Sequence, residues 1–221
     1  MGKIDDTIRL LEETAKDHPS VAVAYSDGKD SRVVMDLCFR TFKRVEAFYM
    51  YFVPGLKFID DKLKAAEDRY GIKIHQIPHE GLADSLRRGV YCDPKDYEEV
   101  LPDVKLRDIY NLAKHALDVD LVITGAKASD SSWRRRYFHA TRTWTDMFYP
   151  IKDWNKHDVL GYLRARNIPM PDSSGLNASG VSLIPAELLW IYDNYPDDFE
   201  VVKSYFPYVE AVVWRRIFYG S

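Results

Sequence analysis

The stretch Val21-Ala22-Val23-Ala24-Tyr25-Ser26-Asp27-Gly28-Lys29-Asp30-Ser31 constrains this chain more than any other. Five apolar residues of strand character run without a break into a polar turn holding a glycine, a lysine and two serines, and an amphipathic segment follows at once. A strand handing over to a helix through such a turn leaves the first backbone N–H groups of the helix unpartnered. The positive end of the helix dipole is aimed at the same place, and together they hold an anion. The turn is not a Walker A loop: no glycine stands five residues before Gly28, and Asp30, rather than Ser or Thr, follows the lysine.

The rest of the chain repeats the alternation. Ile4, Ile8, Leu11 and Ala15 keep helical spacing up to Pro19. Residues 21–25 read as a first strand, and residues 31–43 as a helix that buries Val34, Leu37 and Cys38. An aromatic-rich second strand over 45–53 is closed by Pro54-Gly55. Ile59, Leu63, Ala66 and Tyr70 mark a helix with Gly71 as its C′ residue, and a third strand over 72–77 stops at Pro78. Residues 80–104 read as loop. Leu106, Ile109, Ala113 and Leu117 mark another helix, and residues 120–124 a fourth strand reaching Gly125. Asn155 and Asp158 form a capping-box pattern for a helix through Arg166. Strands alternating with helices of ten or more residues predict an α/β fold, a parallel sheet with helices on both faces. Ligands bind such sheets at the carboxyl ends of the strands, near the reversal of strand order. The turns at 26–31, 53–55 and 125–130 lie at such ends and are expected to converge. From residue 177 the pattern becomes helical and rich in aromatics, with Pro185 at a first helical position. That tail is expected to pack on the domain, cover the site or hold a second subunit.

Composition narrows the class. With 46% apolar and 29% charged residues the chain reads as soluble and globular. A net charge of −3 gives no global nucleic-acid footprint, though it leaves room for a local basic patch. No apolar run approaches a membrane span and the start lacks the apolar stretch of a signal peptide, so a cytoplasmic protein is expected. Only Cys38 and Cys92 are present. One chain therefore cannot supply four thiolates, and no iron–sulfur cluster is expected. Without a C-x-x-C pair no zinc site is expected either. Cys38, among Val34, Leu37 and Phe39, reads as a buried structural thiol. His75 and His79 beside Cys92 invite a metal reading that strand-and-loop spacing does not favour.

Two further segments carry chemistry. After the fourth strand, Gly125-Ala126-Lys127-Ala128-Ser129-Asp130-Ser131-Ser132-Trp133-Arg134-Arg135-Arg136 offers fixed cations and forked donors for phosphate or sulfate oxygens. A solvated charged turn is the plain alternative. Of the arginines, Arg134 is preferred to Arg135, which points to another side. In the first turn, Asp27 tolerates left-handed backbone, but its carboxylate repels a phosphate unless a metal or Lys29 offsets it. Asp27 and Asp30 are candidate Mg²⁺ ligands.

These residues resemble the S-G-G-x-D-S pyrophosphate loop (PP-loop) of the adenine-nucleotide α-hydrolase superfamily, in its phosphoadenosine phosphosulfate (PAPS) reductase-like branch. Ser26, Gly28, Lys29, Asp30 and Ser31 fit the loop, and Asp27 stands where the family usually has glycine. Gly125, Lys127, Asp130, Ser131 and Arg134 take the places of the family's glycine, basic residue and acidic-Ser-x-x-Arg element. The segment Tyr149–Val159 is similar to Pro-φ-x-x-Trp-Thr-x-x-Asp-Val, with Asn155 for threonine, and is expected to support the fold. The resemblance implies a Rossmann-like, doubly wound, mostly parallel five-stranded sheet with a helical C-terminal extension. It divides the chain into a nucleotide-binding part, 1–175, and an aromatic-rich extension, 176–221. It implies ATP or a related adenine nucleotide as ligand, Mg²⁺ as its cation, and cleavage between the α and β phosphates to adenylylate an unidentified acceptor. Lys29, Lys127 and Arg134 are the implied catalytic residues. The same three, with Ser26, Asp27, Gly28, Asp30, Ser31, Gly125, Asp130, Ser131 and Arg136, are implied to bind the nucleotide's phosphates, and Met50 and Tyr51 lie where relatives recognise adenine. Sulfonucleotide reductases carry a cysteine in a C-terminal tail and a Gly-Cys region after the Trp helix. Here Trp214–Ser221 and Asn177–Val181 stand there without a thiol, so thiol reduction of PAPS has no evident route. Handling of PAPS with an external thiol (in which Cys92 would serve), a non-catalytic nucleotide-binding module, and a nucleic-acid-modifying enzyme are the alternatives. A homodimer through the C-terminal helices is a further expectation.

Overall fold

A computed structural model describes residues 2–97, 101–140, 147–171 and 182–220. In chain order they form α1 (Lys3–Asp17), β1 (Ser20–Ala24), α2 (Lys29–Thr41), β2 (Arg44–Tyr51), α3 (Lys57–Tyr70), β3 (Ile74–Pro78), α4 (Glu80–Arg87), α5 (Leu106–Leu117), β4 (Leu121–Ile123), α6 (Ser132–Ala140), β5 (Met147–Phe148), α7 (Lys156–Ala165), α8 (Pro185–Asn194), α9 (Pro196–Tyr205) and α10 (Glu210–Tyr219). The sheet is parallel and five-stranded, in the order β3-β2-β1-β4-β5. Val21 stands opposite both Val45 and Leu121, and Val23 opposite both Ala47 and Ile123. β1 is the central strand, with Val21, Ala22 and Val23 wholly buried. Strands covered on both faces read as continuous apolar runs, which is why residues 21–23 show no alternation. The chain winds outward from β1 through β2 to β3, then returns to lay β4 on the other side of β1. The order of strands therefore reverses between β1 and β4, whose exits are the turns at 26–31 and 124–130.

The chain divides into two compact units. The first is Met1–Tyr49, Tyr70–His75 and Tyr110–Asp172; the second is Met50–Arg69, Gln76–Ile109 and Ser173–Ser221. The boundary expected at 175/176 lies outside the described residues, as does the Asn177–Val181 segment. In the first unit α2 packs against α1 and α7. Its buried Asp36 accepts from the Tyr162 hydroxyl at 2.6 Å and from Arg166 Nε at 3.0 Å, which ties α7 to α2. The Trp154 indole N–H donates to Thr7 Oγ1 at 3.0 Å. Asn155 caps α7 as its sequence pattern predicts, its side chain accepting from Asp158 N while Asp158 accepts from Asn155 N.

In the second unit Asp198 of α9 supplies the cap that α3 lacks in its own sequence. Its two oxygens accept from Lys57 N at 2.7 Å and Phe58 N at 3.0 Å. Phe58 stacks on Tyr195 and meets Trp190 edge-on, so the aromatic C-terminal sequence builds this unit's core. Residues 80–104, read above as loop, contain α4. The helix is only eight residues long and none of its residues is fully buried, Leu82 and Leu86 being half-buried. No described helix is long and apolar enough to cross a membrane.

Candidate functional site

The exit of β1 is a closed loop. Ser31 Oγ donates to Gly28 O at 3.0 Å and accepts from Ser26 N at 3.2 Å and Ser26 Oγ at 3.3 Å. The two serines of the motif thus tie the turn shut across its base. Asp27, at the apex, has φ of 58°, the left-handed conformation that the family's glycine takes easily and that Asp tolerates. Gly28 is the N-cap of α2 and has no side-chain capping bond, so the first amides of α2 keep no partner within the helix.

Asp27 is answered by a residue that sequence reasoning missed. Its Oδ1 accepts from Arg32 Nη2 at 2.7 Å, Arg32 Nε at 3.0 Å and the Tyr25 hydroxyl at 2.9 Å. Arg32 also holds the Asp27 carbonyl at 3.1 Å and the Pro169 carbonyl at 2.6 Å. Burial, and then the Asp27 carboxylate, push the Tyr25 phenol well above its ordinary value, so it stays a neutral donor. The charge offset expected from a metal or Lys29 is supplied by Arg32. An arginine one turn into an amphipathic helix reads as a solvated residue; its position five after an apical acid was the available signal.

The exit of β4 meets the start of α2. A Cβ on Gly125 would lie 2.9 Å from the carbonyl carbon of Asp30 and 3.1 Å from its Cβ, so only glycine lets the two segments touch. Lys127 then runs between two carboxylates, with Nζ 2.6 Å from Asp30 Oδ2 and 2.9 Å from Asp130 Oδ1. Only 2% of this lysine is exposed. Lys29 reaches Asp30 Oδ2 at 3.0 Å, and Arg134 Nη1 reaches Asp130 Oδ2 at 2.8 Å. The result is one alternating chain, Lys29–Asp30–Lys127–Asp130–Arg134. Three cations meet two carboxylates, which leaves an excess of positive charge beside the amides of α2. Burial alone raises the Asp130 carboxyl, but Lys127 and Arg134 outweigh it and hold the group below the usual carboxylate range.

The site residues therefore separate. Ser26, Asp27, Gly28, Lys29, Asp30, Ser31, Gly125, Lys127, Asp130 and Arg134 come together in the first unit. Ser131 caps α6, its Oγ accepting from Arg134 N at 3.0 Å. Arg136 is exposed and takes no part in the ion chain. Met50 and Tyr51 end β2, half-buried, and belong to the second unit, as does the turn at 53–55. Of the candidate Mg²⁺ ligands, Asp27 is engaged by Arg32. Asp30 has Oδ2 engaged by two lysines and Oδ1 buried without a hydrogen-bond partner. Both thiols are buried: Cys38 lies in the core, and Cys92 Sγ approaches the Leu86 carbonyl at 3.7 Å.

Residues 20–172 match the phosphoadenosine phosphosulfate reductase domain, and the chain belongs to that family. No curated protein matches the chain in sequence. Among solved structures it is similar to the U34-tRNA thiolase NcsA from Methanococcus maripaludis, at 16% identity and a TM-score of 0.53, over 94% of this chain and 80% of that one. It is also similar to the NH3-dependent NAD synthetase from Campylobacter jejuni subsp. jejuni, at 15% identity and a TM-score of 0.53, over 100% of this chain and 97% of that one. These likenesses establish the PP-loop fold.

One expectation is corrected by them. NcsA is described with its [4Fe-4S] cluster on this fold, so the exclusion of an iron–sulfur cluster drawn from the cysteine count does not stand. That count concerns thiolates from a single chain and does not address other ligands or a second chain. Among the described residues no three His, Cys, Asp or Glu side chains stand together as a metal site.

Proposed function

We propose that this chain binds ATP at the β1–α2 turn and transfers its adenylyl group to an acceptor. The acceptor oxygen attacks the α-phosphorus, the bond from that phosphorus to the bridging oxygen of the β-phosphate breaks, and pyrophosphate leaves with the electron pair. The single observation that carries this reading is the alternating ion chain lying against an uncapped helix N-terminus at the sheet's reversal point. Lys29 and Arg134 are the partly exposed cations of that chain, with side chains 34% and 45% exposed. Each can leave its carboxylate for a phosphate oxygen. Lys29 then neutralises charge developing on the departing pyrophosphate, and Arg134 holds the α-phosphate or the acceptor. Lys127, buried between its two acids, fixes the frame. An anionic acceptor needs no general base.

The test is product identity. With ATP labelled in the α-phosphate and a panel of acceptors, labelled adenylyl product and pyrophosphate are expected, and Lys29→Ala lowers the rate about a hundredfold. Formation of ADP and orthophosphate instead contradicts the reading. The family match favours a second reading, PAPS as ligand. The burial of both cysteines supports ATP over thiol-dependent reduction. PAPS turnover with an added thiol that survives in wild type and fails in Cys92→Ser would reverse that preference. The expected homodimer finds support in α10, where Trp214, Ile217 and Phe218 share a face and are 53%, 59% and 71% exposed.

A further inference from the structure

The helix that leaves the ion chain, α6, carries an exposed aromatic surface. On α6, Trp133 is 63% exposed and stacks on Tyr137 with ring centroids 5.2 Å apart and planes only 8° from parallel. Residues three and four apart share a helix face, so Arg136 flanks this aromatic pair on one side. Arg134, bonded to Asp130, lies on the other. Arg136 is exposed and meets no carboxylate among the described residues. Phe138 packs edge-on to Tyr149 at 5.0 Å and pins the helix to the exit of β5. Burial, with Tyr137 next to it, pushes the Tyr149 phenol up to about 12, so that contact stays uncharged.

An exposed indole is costly to keep in water, and parallel rings offer a flat platform. An exposed cation beside that platform, Arg136, and a second one leading to the ion chain, Arg134, suit a ligand that repeats planar rings and phosphates. We infer that α6 is the docking surface for the acceptor, and that the acceptor is a single-stranded nucleic acid, one base stacking on Trp133–Tyr137 and its phosphates meeting Arg136 and Arg134. A duplex is excluded from this mode because its bases are already stacked. The net charge of −3 does not oppose it, since the attraction is local to one helix. The inference rests on the adenylyl-transfer reading only for the word acceptor; the binding itself is separate.

The experiment is a titration of the full chain, without nucleotide, with a fluorescein-labelled twelve-residue oligouridylate, read by anisotropy and by tryptophan fluorescence. Binding is expected to weaken about tenfold in Trp133→Ala and in Arg136→Ala. Arg135→Ala, which removes the same charge from another side of the helix, is expected to change it less than threefold. The salt dependence of Arg136→Ala should fall by about one unit of slope. Equal losses in Arg135→Ala and Arg136→Ala, equal binding of a duplex, or preference for polyglutamate over the oligonucleotide would each overturn the inference. Far-ultraviolet circular dichroism of each variant confirms that it is folded. ATP binding by wild type, measured alone, fails or succeeds independently, which separates this inference from the reading it extends.

Discussion

At the scale of single residues, Lys127 is the hinge of the account. A lysine is rarely this buried, and it remains so because two carboxylates meet its ammonium at 2.6 and 2.9 Å. Removing one member of such a pair leaves the others as uncompensated charges. Lys127→Met is expected to destabilise the fold by about 3–5 kcal/mol, measured by urea unfolding; a loss within experimental error contradicts the ion chain. The same chain predicts an acid limb. Because the folded Asp130 carboxyl is depressed, its contribution is in force above the ordinary carboxylate value of about 3.9 and fades as pH falls through the lower folded value. Asp130→Asn should flatten stability against pH in that window and nowhere above it. Asp27 makes a less obvious prediction. Its φ of 58° invites glycine, yet Asp27→Gly removes the carboxylate that pairs with Arg32. We expect a net loss of about 1–3 kcal/mol rather than a gain, because Arg32 Nη2 and the Tyr25 hydroxyl lose their acceptor.

At the scale of elements, the close meeting of the β4 exit with α2 does the positioning. Gly125→Ala is expected to push the first turn of α2 away by a few tenths of an ångström and to cost about 1–3 kcal/mol. ATP affinity should fall with it; an unchanged melt and affinity would show that the contact is slack. In the second unit, Asp198→Ala should uncap α3 at a cost of about 1 kcal/mol, seen as faster amide exchange at Lys57 and Phe58. The elements were legible in the sequence where a local rule set them. Asn155 and Asp158 declared α7, Pro185 declared α8, and the apolar run at 21–25 declared the first strand. β5 is two residues long and has no period to read. α4 lacked a buried stripe, and α3's cap comes from a residue some 140 positions away, which no local pattern encodes. The closed turn at 26–31 was legible because its residues are contiguous. Arg32 was not, because its meaning depends on where the Asp27 side chain turns.

At the scale of the whole molecule, the reversal of strand order between β1 and β4 brings segments a hundred residues apart to one place. That explains why motifs at 26–31 and 125–134 form one ion chain although neither is complete alone. If α10 pairs two copies, light scattering at micromolar concentration should report a dimer that Phe218→Glu dissociates; a monomer at all concentrations contradicts it. We propose that the amides after Tyr25, with Lys29, hold the polyphosphate of an adenine nucleotide. Calorimetric titration with ATP and with AMP tests it most directly. ATP is expected to bind at least about tenfold more tightly than AMP, and Lys29→Ala to abolish that difference. Equal affinities in wild type, or a preference for ATP that survives in Lys29→Ala, would contradict it.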